Sequence, residues 1–281
     1  MVKQQRLLIR RRPSPQMPVG YRALVPTQGR GPSPPVPLVL VHGNDRHAGQ
    51  QFRAFLPQAL LLGVPVIAPF FDEANFSGYQ HLRGASGALA ALDALQSVLD
   101  DAHETLGIET VQVDMVGYSA GAQFVHRYLL FSGAGVRRAV VAAAGWYTYL
   151  DRGRRFPQGI KTGPNTQDRV ANPAFLLERP VHVLVGARDV QRGPSLRTSQ
   201  RIDHRQGPDR LTRALRWVDH LEEEARRSGL SSQVTFDLLP DCNHTFTSAV
   251  LTGALVDRVF FFLHAPPDNI DHPSIPPGRF Q

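Results

Sequence analysis

The chain has 281 residues, 42% of them hydrophobic, and its formal net charge at pH 7 is +7. This length predicts one large α/β domain or two small ones, with a core that needs no disulfide bonds. The single cysteine, Cys242, excludes an intrachain disulfide. Lysine occurs only at Lys3 and Lys161, so arginine carries nearly all of the positive charge. The arginines are scattered without aromatic residues among them, which argues against a nucleic-acid partner.

The N-terminal segment does not resemble an export signal. Its only apolar run, Leu7 to Ile9, is followed by three arginines, whereas a secretory signal needs an apolar stretch of about 7–15 residues. No window of the sequence approaches the ~18–20 apolar residues of a membrane-spanning helix. We therefore expect a cytoplasmic protein that does not bind membranes.

Residues 1–36 are interpreted as an N-terminal arm rich in Pro, Arg and Gly. Edge strands are predicted within it at 6–10 and 21–25. Segment 28–37 favours turns and cannot form a helix. At the other end of the chain, residues 266–281 are interpreted as a tail.

Residues 37–265 alternate between short apolar runs and amphipathic segments, which predicts one domain built from strands and helices. The predicted strands are 37–42, 64–68, 111–116, 136–143, 181–185 and 234–239. The predicted helices are 50–62, 86–106, 120–131, 209–228 and 248–263. This alternation indicates a mostly parallel sheet with helices on both faces. Functional residues are then expected in the loops at the carboxyl ends of the strands.

The clearest motif is Gly117-Tyr118-Ser119-Ala120-Gly121, which fits the pattern G-x-S-x-G between a predicted strand and a predicted helix. In this context the serine sits on a sharp strand-to-helix turn and projects above the sheet as a nucleophile. Glycine lacks a Cβ atom, so the two flanking glycines relieve crowding in the turn. A glycine-rich turn with an idle serine is the alternative.

A serine hydroxyl needs a base, and the base needs a carboxylate that orients it. His244 follows the last predicted strand, beside the expected position of Ser119, and is the candidate base. Asp189 is the first acid after strand 181–185 and is the candidate acid, although an aspartate there could instead cap a helix. Asp241 is the fallback, but it lies too close to His244 in sequence for an easy approach to the far ring nitrogen. The order Ser, Asp, His is typical of hydrolases with this motif.

A hydrolase of this kind also needs two backbone N–H groups that bind the oxyanion. The first candidate is Ala120, which follows the nucleophile, and the second is Asn44 in the loop after the strand at 37–42. Gly43 allows substrate to approach the backbone of that loop. His42 is expected to brace the loop by hydrogen bonds and to transfer no protons.

The motifs HGN (42–44), GYSAG (117–121), GARD (186–189) and NH (243–244) together resemble the α/β-hydrolase family. Within it, the chain is similar to bacterial serine esterases related to polyhydroxybutyrate depolymerases and feruloyl esterases. The resemblance covers about 37–263 and implies an α/β-hydrolase fold with a small lid insertion after the sixth strand, at about 146–180. It departs from the family pattern in the Arg-rich segment 190–206 and in Asp45, an acid beside the oxyanion loop.

The resemblance also implies a substrate pocket. We expect Gly43, Tyr118, Trp146, Tyr147 and Phe70 to contact substrate, although the two residues at 146 and 147 could equally be core residues.

The predicted activity is that of a carboxylesterase acting on a small or oligomeric ester through an acyl-enzyme, with no metal or organic cofactor. Three alternatives remain open. The same residues could serve an amidase, peptidase or polymer depolymerase; they could serve an acyltransferase; or the chain could be a ligand-binding protein without turnover. The sequence does not indicate an oligomeric state.

Overall fold

The structure, a computed structural model, describes residues 6–26 and 35–266. Its strands are β1 (Arg6–Arg11), β2 (Gly20–Pro26), β3 (Leu38–Val41), β4 (Val66–Phe70), β5 (Val113–Tyr118), β6 (Val136–Ala142), β7 (Val181–Gly186) and β8 (Val234–Leu239). The longer helices are α1 (Ala48–Leu62), α3 (Ala90–Leu106), α4 (Ala120–Ser132), α7 (Arg210–Arg227) and α9 (Leu255–His264). The shorter ones are α2 (Glu73–Phe76), α5 (Ala174–Leu177), α6 (Gln200–Gln206) and α8 (Phe246–Leu251).

The strands form one eight-stranded sheet in the order β1-β2-β4-β3-β5-β6-β7-β8. β1 pairs antiparallel with β2, and β2 pairs antiparallel with β4, whereas every later pair is parallel. β1 and β2 occupy the positions of the two strands expected in the arm. Most of the turn segment predicted at 28–37, and nearly all of the tail predicted at 266–281, lie outside the described residues.

Two layers of helices cover the two faces of the sheet. Helices α3, α4 and α7 bury their apolar faces against one side, while α1, α8 and α9 pack against the other. Every residue of β3 and β5 is buried, because a central parallel strand covered on both faces has no solvated side.

The boundaries differ from the sequence prediction at several places, including the strand predicted at 64–68, which runs from Val66 to Phe70. The strand predicted at 111–116 runs instead from Val113 to Tyr118, so the G-x-S-x-G motif begins inside the strand. The helix predicted from 86 begins only at Ala90, after Leu89 with φ 61°. The helix predicted at 248–263 is two helices, α8 and α9, and Ala254 between them has φ 49°. A left-handed residue cannot continue a right-handed helix, so no helix runs through Leu89 or Ala254.

The loops that matter for chemistry follow β3, β5, β7 and β8. These strands run parallel, so their carboxyl ends meet at one edge of the sheet. Residues far apart in sequence, in the loops that begin at about 42, 119, 187 and 240, are thereby brought together at that edge.

Candidate active site

Ser119 lies at the turn between β5 and α4, with φ 55° and ψ −112°. A Cβ atom added to Gly117 would overlap the backbone of Gly121, and one added to Gly121 would overlap the carbonyl oxygen of Val41. The Ser119 N–H donates to the carbonyl oxygen of Ala142 at 2.8 Å. The close packing of the turn against the neighbouring strands β3 and β6 thus fixes the strained serine. That packing is possible only with glycine at both flanking positions.

Three side chains form a hydrogen-bonded chain at this turn. Ser119 Oγ lies 3.0 Å from His244 Nε2, and His244 Nδ1 lies 2.8 Å from Asp189 Oδ2. Asp189 is 2% exposed, whereas His244 is partly exposed. The serine therefore meets the histidine where solvent has access, while the carboxylate is kept from water.

Arg210, at the start of α7, binds the other side of that carboxylate. Its guanidinium donates to Asp189 Oδ1 at 3.2 Å and to Ser195 Oγ at 2.9 Å. Both charged side chains are almost fully buried. Each oxygen of the carboxylate thus has its own partner, which fixes its orientation toward His244. Sequence reasoning missed Arg210, because nothing in the pattern of α7 distinguishes it from the other arginines there.

His42 ties the loop after β3 to its surroundings. Its Nδ1 lies 2.8 Å from the carbonyl oxygen of Gly43, and its Nε2 accepts a hydrogen bond from the Phe71 N–H at 3.1 Å. The Tyr79 hydroxyl donates to the His42 carbonyl oxygen at 2.7 Å. Burial lowers the pKa of His42 to about 4, so the ring is neutral near pH 7 and carries its proton on Nδ1. These contacts agree with the bracing role expected from the sequence.

The loop at 43–47 lies directly against the serine turn. A Cβ atom at Gly43 would lie 3.7 Å from Ser119 Cβ. The Arg46 guanidinium donates to the carbonyl oxygens of Asn44 and Phe71, each at 3.1 Å. Asp45, the unexpected acid, is exposed and turns toward His47, with 3.2 Å between the carboxylate and the ring Nδ1.

A cavity of about 600 Å³ opens above Ser119. Its walls come from the loop after β3, the first turn of α1, the serine turn, the loop after β8 and Ser195. The lining residues are Gly43, Asn44, Asp45, His47, Gln50, Gln51, Tyr118, Ser119, Ser195, His244, Thr245, Phe246 and Thr247.

Among these, sequence reasoning missed His47, Gln50, Gln51, Ser195, Thr245, Phe246 and Thr247. Phe246 lies two residues after His244, and its ring packs edge-on against Tyr118 with 5.2 Å between centroids. Its nearness to His244 in sequence is the one signal that could have found it. Gln51 and Ser195 lie in parts of the chain where no motif marks them.

The overall architecture is shared with solved bacterial hydrolases, although no protein-family model and no curated protein sequence matches the chain. Poly(aspartic acid) hydrolase-1 from Sphingomonas sp. KT-1 superposes with a TM-score of 0.73 and 24% identity, over 91% of this chain and 99% of that one. A poly(3-hydroxybutyrate) depolymerase from Bordetella parapertussis gives 0.69 and 24%, over 91% and 94%. An S-formylglutathione hydrolase from Staphylococcus aureus gives 0.57 and 14%, over 92% and 97%. The protein has an α/β-hydrolase fold.

In this α/β-hydrolase fold the residues predicted to touch substrate divide into two groups. Gly43 and Tyr118 line the cavity, and the Tyr118 hydroxyl also donates to the carbonyl oxygen of His244 at 3.1 Å. Trp146, Tyr147 and Phe70 do not line it.

The segment after β6 packs its aromatic residues inward. Trp146 is buried, with the Arg127 guanidinium 4.4 Å from its ring centroid. Tyr147 is fully buried and stacks on Trp217 at 4.6 Å. The Gln206 side chain bonds both the N–H and the carbonyl oxygen of Tyr147, at 2.8 and 2.9 Å. The backbone is thereby held against α6, and the rings turn into the core.

None of the residues at 146–180 lines the cavity above Ser119. Phe70, at the end of β4, is 44% exposed and lines a different cavity. The fallback acid, Asp241, is exposed and pairs with Arg188.

Neither a metal site nor a membrane span is found in the described parts of the chain. No three or more His, Cys, Asp or Glu side chains of residues 6–26 and 35–266 come together as ion ligands would. No helix within these ranges combines the length and the apolar character that crossing a membrane requires.

Proposed function

We propose that the protein is a serine hydrolase that cleaves carboxylic esters through an acyl-enzyme on Ser119. The observation that carries the proposal is the hydrogen-bonded chain from Ser119 through His244 to Asp189, on the floor of an open cavity. Nucleophile, base and acid then have the mutual geometry that nucleophilic catalysis by serine needs. The hydrolases that share the fold support it as well.

In the first step His244 accepts the Ser119 proton at Nε2 while Oγ attacks the ester carbonyl carbon. Asp189 stabilises the imidazolium through Nδ1. His244 then donates the proton to the departing alcohol oxygen, which leaves the acyl group on Ser119. A water molecule attacks the acyl-enzyme with the same histidine as base, and this releases the acid and restores the serine.

The negative oxygen of each tetrahedral intermediate needs donors, and we assign them to the backbone amides of Ala120 and Asn44. Neither N–H makes a hydrogen bond to another group of the described residues. The Ala120 amide is at the first residue of α4, where the helix dipole favours negative charge. Arg46 holds the Asn44 carbonyl oxygen, which fixes the backbone of the second donor.

Hydrolysis of a polymer by the same residues is the second candidate. Two of the structurally similar proteins are described as acting on polymers. The cavity here is not closed by the insertion at 146–180, which leaves room for a chain longer than one ester unit. Release of oligomers from a soluble polyester or polyamide would favour this candidate over a simple esterase.

The test compares wild type, Ser119→Ala and Ser195→Ala on short p-nitrophenyl esters. Ser195 lines the same cavity but has no histidine partner, so it is a matched control. We expect Ser119→Ala to lower kcat by roughly 10⁴–10⁶ and to abolish labelling by a fluorophosphonate, while Ser195→Ala keeps the labelling. A wild-type protein that neither turns over esters nor reacts with the probe would overturn the proposal and favour a binding protein.

A further inference from the structure

A second cavity of about 840 Å³ lies beside the first, and arginine dominates its walls. It is formed by β1, β2, the first turns of α1 and the end of β4. Six arginines line it: Arg10, Arg11, Arg12, Arg22, Arg46 and Arg53. We call it the arginine groove.

Only two of the six arginines have acidic partners within the described residues. Arg11 pairs with Asp101 at 2.7 Å, and Arg46 pairs with Glu73 at 2.5 Å. The one acid in the wall, Asp72, accepts the Asn75 N–H at 2.8 Å as the cap of α2.

No ion pair or hydrogen bond joins a described residue to the side chain of Arg10, Arg12, Arg22 or Arg53. Arg22 Nε and Arg53 Nη1 lie within 3.5 Å of one point, the place of a Cβ atom on Gly49. The first turn of α1 beside them contains no acidic residue. Two cations this close repel each other unless an anion or water lies between them.

Some arginines on other surfaces of the protein do have acidic partners. Arg226 and Arg227 both pair with Glu223 on α7, and Arg169 pairs with Asp93. Other exposed arginines, such as Arg83, Arg152 and Arg201, have no acidic partner among the described residues either. The groove differs from them because four such arginines line one cavity.

The groove adjoins the cavity above Ser119. His47 and Gln50 line both. A substrate with its carbonyl at the serine would extend past these two residues and bring its far end among the arginines.

We propose that the arginine groove binds the anionic part of the substrate, a run of carboxylate or phosphate groups attached to the scissile ester. The proposal rests on the proposed function for the position of that ester. Guanidinium groups match both anions, with two parallel N–H donors for each oxygen pair. Because the groove is open to solvent, the attraction weakens as salt concentration rises.

The kinetic test uses the double variant Arg22→Gln with Arg53→Gln. The control, Arg226→Gln with Arg227→Gln, removes the same charge far from the groove. Substrates are p-nitrophenyl esters of oligoglutamate and of oligoserine of equal length. We expect kcat/KM for the oligoglutamate ester to fall roughly tenfold in the groove variant only, and high salt to remove the difference. Equal changes for both esters, or no change, would overturn the proposal.

The binding test separates the groove from the chemistry. Fluorescent oligoglutamate is titrated into Ser119→Ala, with and without the groove substitutions, and inorganic tripolyphosphate is added as competitor. Loss of binding in the groove variant supports the proposal even if wild type hydrolyses no ester, in which case only the proposed function fails. Ester hydrolysis without binding of oligoglutamate or tripolyphosphate would overturn the proposal for the groove and leave the proposed function standing. Binding only of a single-stranded oligonucleotide would point to a nucleic-acid site instead and overturn the proposal.

Discussion

The buried side chain of Gln51 is expected to lower the free energy of unfolding, and a substitution can measure this effect. Its side chain is on the buried face of α1 and is 4% exposed. Neither its amide nitrogen nor its amide oxygen has a hydrogen-bond partner among the described residues, and the residue lines the cavity above Ser119. A buried amide without a partner loses its hydration and gains nothing in return.

Substitution Gln51→Leu removes this cost at nearly constant volume. An unsatisfied buried polar group costs about 1–3 kcal/mol, so the free energy of unfolding should rise by about that amount. In a domain of this size, 1 kcal/mol shifts Tm by about 2–4 °C. We therefore expect a Tm several degrees above that of wild type.

The assay is thermal and urea denaturation of wild type, Gln51→Leu and the control Gln58→Leu. Gln58 is in the same helix but partly exposed, so water hydrates its amide and the control should change stability little. Activity on esters should fall in Gln51→Leu, because the Gln51 amide is available to a bound substrate. A Gln51→Leu protein that is no more stable than wild type would refute the reasoning, since water in the cavity would then satisfy the amide.

Three further predictions concern the serine turn and its surroundings. Asp189→Asn should lower kcat by about 10⁴, because an amide no longer holds the required tautomer of the histidine; Asp241→Asn, measured on the same ester, should leave it nearly unchanged. Gly121→Ala should destabilise the protein by more than about 3 kcal/mol, because the added Cβ would overlap a backbone carbonyl. The control, Gly193→Ala, should not destabilise the protein, because a Cβ there meets nothing within 4 Å. The urea midpoints of the two variants measure the difference. Burial holds the pKa of His42 at about 4 in the folded state against about 6.5 in the unfolded chain. The unfolded state therefore takes up the proton first as pH falls, and stability should decline between about pH 6.5 and 4, by up to about 3 kcal/mol from this group; a His42→Gln variant whose urea midpoint falls as steeply as that of wild type over this range would contradict the assignment.

Local chemistry determined the parts of the site that lie within single motifs. The serine turn was predictable because a strained residue between a strand and a helix leaves only glycine at the two flanking positions, and the structure places both glycines against backbone atoms. The candidate base and acid were predictable because parallel strands end at one edge of the sheet, so the loops after β7 and β8 meet there. Asp189 and His244 lie 55 residues apart in sequence and 2.8 Å apart in space.

Sequence patterns were less informative wherever a side chain had more than one possible direction. Trp146 and Tyr147 follow β6, and aromatic residues suit a pocket wall and a core equally. The structure turns them into the core because Gln206, far along the chain, binds the backbone of Tyr147.

The sequence by itself therefore determined the order of the strands and longer helices, the serine turn and the residues that follow strand ends, because short-range sterics and hydrophobic periodicity fix these features. Only the tertiary structure decided that Arg210 binds the carboxylate of Asp189 and that Arg22 and Arg53 converge beside Gly49. It also decided that Gln51 lines the cavity with no hydrogen-bond partner among the described residues. Each of these depends on which surfaces of distant elements face each other, and no periodicity within one segment carries that information.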